Sequence, residues 1–193
     1  MDDLTALATL YSEPEVRRFF PEGALTLEET REELEWIIDV YYGRYGYGLW
    51  ATIYKATGGF IGRCGLLPWK VTDERAGVLL LDHADEYPVG TERLEVEVAY
   101  MLDKGYWGLG LGTEVAQAIV DYGFEHLHLS RLICLFDPEN IASRKVAENA
   151  GLTYESEAEL DGDSGPLFSI SSERAEALRT SRSTPGRPAD REP

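Results

Sequence analysis

Sulfur and imidazole are scarce in this chain. Among 193 residues there are two cysteines, two methionines and three histidines. Cys64 and Cys134 stand far apart and in no metal-ligand spacing, which argues against a disulfide framework or a cysteine-held metal. Reduced, buried thiols are expected instead. His126 and His128 sit near a helix end in a spacing that does not share a helical face, so they are expected at the surface. His83 is isolated, and no nucleophile–histidine–acid triad can be assembled by motif. No metal site is predicted.

Basic charge is the second shortage. Lys and Arg number 18 against 35 Asp and Glu, a net charge of −17. Without Lys/Arg clusters the chain cannot neutralise a phosphate backbone, so nucleic acid is not an expected partner. The acidic excess is first of all a solubilising surface, and it also permits a cationic acceptor. Long apolar runs are missing too. No stretch approaches the roughly 18 apolar residues of a spanning helix. The opening "MDDLTALATL" lacks the basic n-region and apolar run of a signal peptide. The expectation is a cytoplasmic protein with no membrane partner.

What is present suffices for one domain with a real core, because 44% of the residues are apolar. Residues 2–12 predict a short helix with Leu4, Leu7, Ala8 and Tyr11 on one face. "LTLEETREELEWIIDVYY" predicts a longer one, opened by a Thr26/Glu29 capping box and striped by Leu34, Ile37, Ile38 and Tyr41. "LWATIYK" and "FIGRCGLLPW" predict two strands around the turn "ATGG". Residues 73–92 allow an extra strand or a loop. "RLEVEVAYML" alternates, placing Glu95, Glu97, Ala99 and Met101 on one face of a strand. A glycine-rich turn and a helix to about His126 come next. Then follow a strand at "RLICLF" and a helix at "NIASRKVAENAG", with Gly151 and Leu152 as its C-terminal stop. "TYESEAEL" and "GPLFSIS" close the pattern as a strand pair. The domain is predicted to span 1–179. Residues 180–193 read as a disordered tail, since they offer almost nothing to bury.

"GYWGLGLGTEVAQAI", residues 105–119, sets three glycines at alternate positions ahead of a helix. Strand, glycine turn and helix start together make a phosphate-binding grammar: free amides, a partial positive charge and room for close approach. A P-loop is ruled out because Gly112 leads into Thr113-Glu114 with no lysine. The dinucleotide fingerprint is one position out of step, since Gly108, Gly110 and Gly112 form Gly-x-Gly-x-Gly. A turn that needs glycine for sterics alone stays open at this point.

The neighbourhood of the turn carries a resemblance. "EVAYMLDKGYWGLGLGTE", residues 97–114, resembles the coenzyme A-binding motif of the GNAT N-acetyltransferases. Its form is close to the RimJ/RimL-like branch that acetylates ribosomal-protein N-termini. Trp107 stands where the family's Arg/Gln-x-x-Gly-x-Gly/Ala signature has Arg or Gln. "RLICLFDPENIASRKVAENAGL" resembles the family's next strand and Asn-x-x-Ser helix, and "GGFIGRCGL" its central hairpin. The resemblance spans about residues 2–172. It implies an α+β GNAT fold: a central mixed twisted sheet with helices on both faces. Members usually open with a strand before the first helix. This chain opens on the helix, so the first strand is expected to be missing, through a truncated start or an absent edge strand.

By the same resemblance, acetyl-CoA is the co-substrate. Its pyrophosphate would lie on the backbone of Leu109, Gly110, Leu111, Gly112 and Thr113, and its thioester near Met101 and Leu102. Asn140 matches the asparagine that bonds the pantetheine arm, a position where Asn is also a good helix cap. Ser143 matches a serine near the CoA sulfur, a possible acid for the leaving thiolate. Glu97 matches the strand glutamate and is the expected general base, through water, with Glu95 in reserve. Both carboxylates could instead be ordinary residues of a half-exposed strand. Tyr100 and Tyr106 are expected to pack. An α-amine is about a tenth neutral at pH 7 and a lysine amine almost wholly protonated. A lone glutamate base therefore fits a peptide N-terminal acceptor best. A small-molecule amine or antibiotic acceptor, a silent CoA-binding module and a nucleotide site at the glycine turn are the rivals. The expected assembly is a monomer or homodimer.

Overall fold

The computed structural model describes residues 2–160 and 162–183. Helix α1, Leu4–Tyr11, buries Leu4, Leu7, Ala8, Leu10 and Tyr11, the face its spacing predicts. Among the described residues no strand precedes it. Helix α2, Leu27–Trp36, starts at the Thr26/Glu29 capping box, with both reciprocal bonds formed. It then widens into a π segment, Ile37–Tyr42, and ends in a short α3, Gly43–Tyr45. The wider turn changes which residues share a face. Ile37 and Tyr41 are buried and Ile38 is exposed. Trp36 and Tyr41, five positions apart, meet edge to face at 4.6 Å.

Among the described residues seven strands follow. β1 is Leu49–Tyr54, β2 Gly59–Arg75, β3 Val78–His83 and β4 Arg93–Leu102. β5 is Arg131–Leu135, β6 Thr153–Leu160 and β7 Asp163–Ser171. Between them lie α4, Leu111–Glu125, and α5, Ile141–Ala150, and the described chain ends in α6, Ser172–Ser183. Residues 73–92 do supply an extra strand. β2 runs on past Trp69 and folds back as β3, which pairs with it antiparallel. The far edge of β3 then pairs parallel with β6, Val78 to Leu81 against Glu157 to Leu160. Since β2 also pairs along Gly62–Val71 with β4, strands β2, β3, β6, β7, β5 and β4 form a closed circuit. Its weakest join is β4 to β5, which share one bridged pair, Glu97 with Ile133.

Three apolar clusters hold this together. The largest lies between the sheet and α4, α5 and α6, and includes Val96, Val98, Ala116, Ile119, Val120, Leu132, Ala147 and Ala175. Fully burying a side chain such as Ile119 is worth about 1.5–3 kcal/mol. The second lines the circuit with Trp69, Val71, Leu79, Leu81, Ile133, Ala158 and Leu167. The third sets α1 on the opposite face through Leu7, Leu10 and Tyr11 against Met101. Helices therefore cover both faces of a mixed sheet, and both thiols are free and buried.

Helix α6 runs across the expected domain boundary. A break after Arg179 falls inside this helix, where Arg179 reaches Asp121 and Glu125 of α4 at 3.2 and 2.6 Å. The rest of the expected tail, 184–193, lies outside the described residues. Gly151 stops α5 with φ +102° while Leu152 N–H reaches back to Ala147 C=O. A Cβ at Gly151 would stand 2.6 Å from Leu178 of α6. Gly151→Ala should therefore cost about 2–4 kcal/mol, from left-handed strain and overpacking together. Urea unfolding measures this, and an unchanged midpoint would refute it.

Candidate active site

The alternation of β4 predicts one dry face and one wet face. The structure buries both. Glu95 and Glu97 are 6% and 8% exposed, so neither is an ordinary outward carboxylate. Their surroundings differ. Glu95 is held by Arg131 at 2.9 Å, and Arg93 lies 3.5 Å away. It is one member of an ion-pair network that continues from Arg131 to Glu155. Glu97 has no ion pair within 4.0 Å among the described residues. It accepts from the Trp69 indole at 2.6 Å and, more weakly, from the Leu135 amide at 3.4 Å. Burial pushes its carboxyl up to about 7, against the lowering pull of Trp69, the Leu135 amide and Arg63. This side chain thus spans the join where β4 and β5 part.

Beyond Glu97 the two strands have no further bridge. The amide of Asp103 points to β2, where it meets Ile61 C=O at 2.8 Å. Strand alternation then turns the Met101 amide toward β2 as well, and those of Tyr100 and Leu102 into the gap. Met101 also sends its side chain into the α1 cluster, so within this segment Tyr100 and Leu102 present the amides. The Leu102 carbonyl is already taken by the Trp107 indole at 2.7 Å.

The Tyr100 ring crosses the gap to α5. Its hydroxyl donates to Ser143 C=O at 3.0 Å and touches the Cys134 sulfur at 3.8 Å. Burial first, then Cys134, raise that hydroxyl well beyond the tyrosine range. Burial likewise raises the Cys134 thiol, which makes it an inert packing group. Asn140 caps α5, its Oδ1 accepting from the Ser143 amide at 3.1 Å. The amide donors of its side chain remain for another partner. Tyr100, Asn140 and Ser143 thus stand together on the side of β4 opposite Glu97.

The glycine turn rises at the same end of the sheet. A 3₁₀ turn, Lys104–Tyr106, leads into Gly108 and Gly110, with φ +74° and +80°. Gly110 is the N-cap of α4 and brings no side chain to it. The amides of Leu111, Gly112 and Thr113 have no partner inside the helix. A Cβ at Gly108 or Gly110 would meet nothing within 4 Å, whereas one at Gly112 would press on Val146 at 3.2 Å. Gly112 therefore serves α4–α5 packing as well as the turn. Trp107, Leu109 and Ile141 expose apolar surface around this end. Backbone donors, open space and apolar walls suit a long ligand with a phosphate and a slender arm.

The other face of β4 holds residues that no motif singles out. Trp69, whose indole holds Glu97, packs on His83 at 5.1 Å between ring centroids, and His83 meets Trp36 edge on at 5.4 Å. The Tyr41 hydroxyl lies 3.5 Å from His83 Nδ1. His83 is thus set against Trp69, the hydrogen-bond partner of Glu97, by the β2–β3 hairpin, not left isolated as its place in the sequence implies. His126 and His128 are exposed, as expected. Among the described residues, no cluster of His, Cys, Asp or Glu has metal-ligand geometry. No helix there is long and apolar enough to cross a membrane.

Comparison with known proteins agrees with this arrangement. The sequence profile of the acetyltransferase (GNAT) domain matches residues 1–153. The Bacillus subtilis protein YkkB is 31% identical over 153 residues, covering 79% of this chain and 77% of its own. The uncharacterized N-acetyltransferase p20 of Bacillus licheniformis is 26% identical over 156 residues, 80% of this chain and 76% of that one. Among solved structures, the aminoglycoside acetyltransferase AAC(6')-Ib in complex with coenzyme A superposes with a TM-score of 0.68 at 15% identity, covering 92% of this chain and 94% of its own. An acetyltransferase from Agrobacterium tumefaciens gives 0.65 at 23%, covering 88% and 85%. Those two likenesses concern the fold alone. By its sequence profile, its relatives and its fold, the chain belongs to the GNAT family of N-acetyltransferases.

Proposed function

We propose that this chain transfers the acetyl group of acetyl-CoA to a primary amine, that of a peptide or protein N-terminus, as the RimJ/RimL-like branch does. The observation that carries the proposal is Glu97. It is the one buried carboxylate of β4 left out of an ion pair, at the point where β4 and β5 separate, with its acidity moved to about 7. A group that titrates near the working pH is suited to take a proton from an attacking amine. An α-amine, with a reference pKa of about 7.7–8.0, needs little more help than that.

The remaining roles follow from placement. Acetyl-CoA supplies the acetyl group as a thioester. The amides of Leu111, Gly112 and Thr113 would hold its pyrophosphate, with Leu109 and Gly110 forming the approach. The side-chain amide of Asn140 would bind the pantetheine arm. The Tyr100 and Leu102 amides would polarise the thioester carbonyl, which gives Met101 a supporting place between them. Ser143 would relay a proton from water to the departing thiolate, taking up one proton on its hydroxyl oxygen as it gives up the other. Glu97 would receive the amine proton through water. Holding both reactants across one gap supplies much of the remaining rate.

Acetyl-CoA turnover against peptides, polyamines and aminoglycosides tests the reading. Peptide N-termini should be acetylated, and turnover confined to aminoglycosides or polyamines would replace them as acceptors. Trp69 gives a sharper check. Its indole favours the ionised form of Glu97, so Trp69→Phe should move the rising limb of the pH–rate profile up by about one unit. A limb that stays at its wild-type pH would disconnect Trp69 from Glu97.

A further inference from the structure

Two arginines are buried on the side of β4 that carries Glu97 and Met101, in a protein with a large acidic excess. Arg17 and Arg63 are 2% and 8% exposed. Both guanidinium groups lie against the Tyr11 ring, at 4.8 and 5.2 Å from its centroid. Both share one carboxylate, Glu33, at 3.6 and 3.8 Å, and Glu33 also accepts from the Tyr11 hydroxyl. Arg17 is otherwise well satisfied, by Gly23 C=O at 2.5 Å and Glu22 at 3.1 Å. Arg63 is not. Its contact with Glu33 is too long for a hydrogen bond, and its Nε is buried with no acceptor. A planar fork of five donors is built to take a carboxylate or phosphate in bidentate fashion.

The position of Arg63 gives that vacancy of acceptors a meaning. It is the cross-strand partner of Met101, in the segment whose neighbouring amides face the gap. It lies on the same face of β2 as Trp69, and so on the face of β4 that carries Glu97. The charged and titratable groups around this face are Glu33 from α2, Tyr11 from α1, Tyr41 from the π segment, His83 from β3 and Glu97 from β4. None gives Arg63 a hydrogen bond.

We propose that Arg63, backed by Arg17, receives a carboxylate of the acceptor, so that the substrates are primary amines carrying a carboxylate a short distance from the nitrogen. This rests on the proposed acetyl transfer and narrows its acceptor. The carboxylate belongs either to an acidic side chain at the start of a peptide or to a free amino acid. A polycation such as an aminoglycoside carries no carboxylate for the Arg63 fork to take.

The test uses the full chain and three matched peptides, Ser-Glu-Ser-Ala, Ser-Gln-Ser-Ala and Ser-Lys-Ser-Ala, each with an amidated C-terminus, together with free glutamate and serine. The glutamate peptide should be favoured over the glutamine and lysine peptides about tenfold or more in kcat/KM. In Arg63→Met that ratio should fall toward one, and Arg63→Lys should restore part of it. Preference for the free amino acids would assign the carboxylate to their α-position. Calorimetry of the same compounds in the presence of coenzyme A separates the two ideas. Selective binding of carboxylate-bearing amines without turnover would overturn the transfer reading and leave the anion site standing. Turnover with equal kcat/KM across the peptides would overturn the anion site and leave transfer standing. The peptide comparison needs only wild-type protein, so it holds even if the Arg63 variants do not fold.

Discussion

Glu97→Gln should slow acetylation of a peptide N-terminus about 10²–10⁴-fold at pH 7 and make the protein more stable at pH 8. Both effects have one origin. Burial raises the Glu97 carboxyl from 4.5 to about 7. In the folded chain the group keeps its proton between those values, while in the unfolded chain it has lost it. The native state therefore binds the extra proton, and stability falls as the pH rises from about 4.5 through 7. Above that window the buried charge costs on the order of 3 kcal/mol. Glutamine removes the charge and keeps an acceptor for Trp69, but it gives up acceptance from the Leu135 amide, worth about 1 kcal/mol. A net gain of about 2 kcal/mol corresponds to a rise in Tm of about 4–8 °C. The rate should respond oppositely. Wild-type activity should climb through pH 7 as Glu97 ionises, and the variant should lack that limb. Near pH 9 the α-amine is neutral unaided, so the two rates should converge. Equal rates at pH 7 would remove Glu97 from the mechanism, and a lower Tm for the variant at pH 8 would show that burying the charge is not what raises the carboxyl.

A valine at position 110 should weaken coenzyme A binding by about a hundredfold or more. Gly110 has φ +80° at the start of α4, a conformation that a β-branched residue adopts rarely and at a cost of about 1–2 kcal/mol. That strain lowers stability. The loss of affinity has a different cause. The space beyond Gly110 is empty of protein atoms within 4 Å, so the side chain would fill the approach to the Leu111, Gly112 and Thr113 amides. Hydrogen bonds to a charged group are worth about 1.5–3 kcal/mol each. Losing one or two of them, with the helix-terminus contribution of about 0.3–2 kcal/mol, accounts for the size of the effect. Gly110→Asn separates the causes, because asparagine tolerates the left-handed region and still adds a side chain. Calorimetry should show weak binding in both variants, with the larger stability loss in valine. Unchanged affinity in the valine variant would move the phosphate site elsewhere.

Local signals carried much of this from sequence. The alternation in "RLEVEVAYML" marks β4 at both ends, and the Thr26/Glu29 box and the Gly151–Leu152 stop sit where their hydrogen bonds form. Those features are made by neighbours in the chain. Glu97 was legible as a strand glutamate, but its burial was not. Alternation implies a wet face, and here β3 and β6 join to close the sheet over it. Arg63 and Trp69 lie six residues apart on β2, His83 on β3 and Tyr41 on the π segment, and only the folded hairpin and helix bring them to one face, so no spacing announces them. Tyr41 depends further on a π segment, which rotates the helix face away from the one that Ile37 and Ile38 together predict. Helix α6 escaped notice because "SERAEALRTSRS" offers little beyond Ala175 and Leu178 to bury.

The closed circuit of strands behaves like a hoop with a single clasp. An open sheet gives way at its outer edges, where strands have one neighbour and end strands fray. Here β3 and β6, which would be such edges, fasten to each other, and among the described strands only β1 keeps a free side. Strain that the other joins resist is passed around to the join held by one backbone pair, between β4 and β5. The clasp is bridged by the Glu97 side chain, from Trp69 on one strand to Leu135 on another. Loosening the hoop and wetting the Glu97 carboxyl are therefore the same movement.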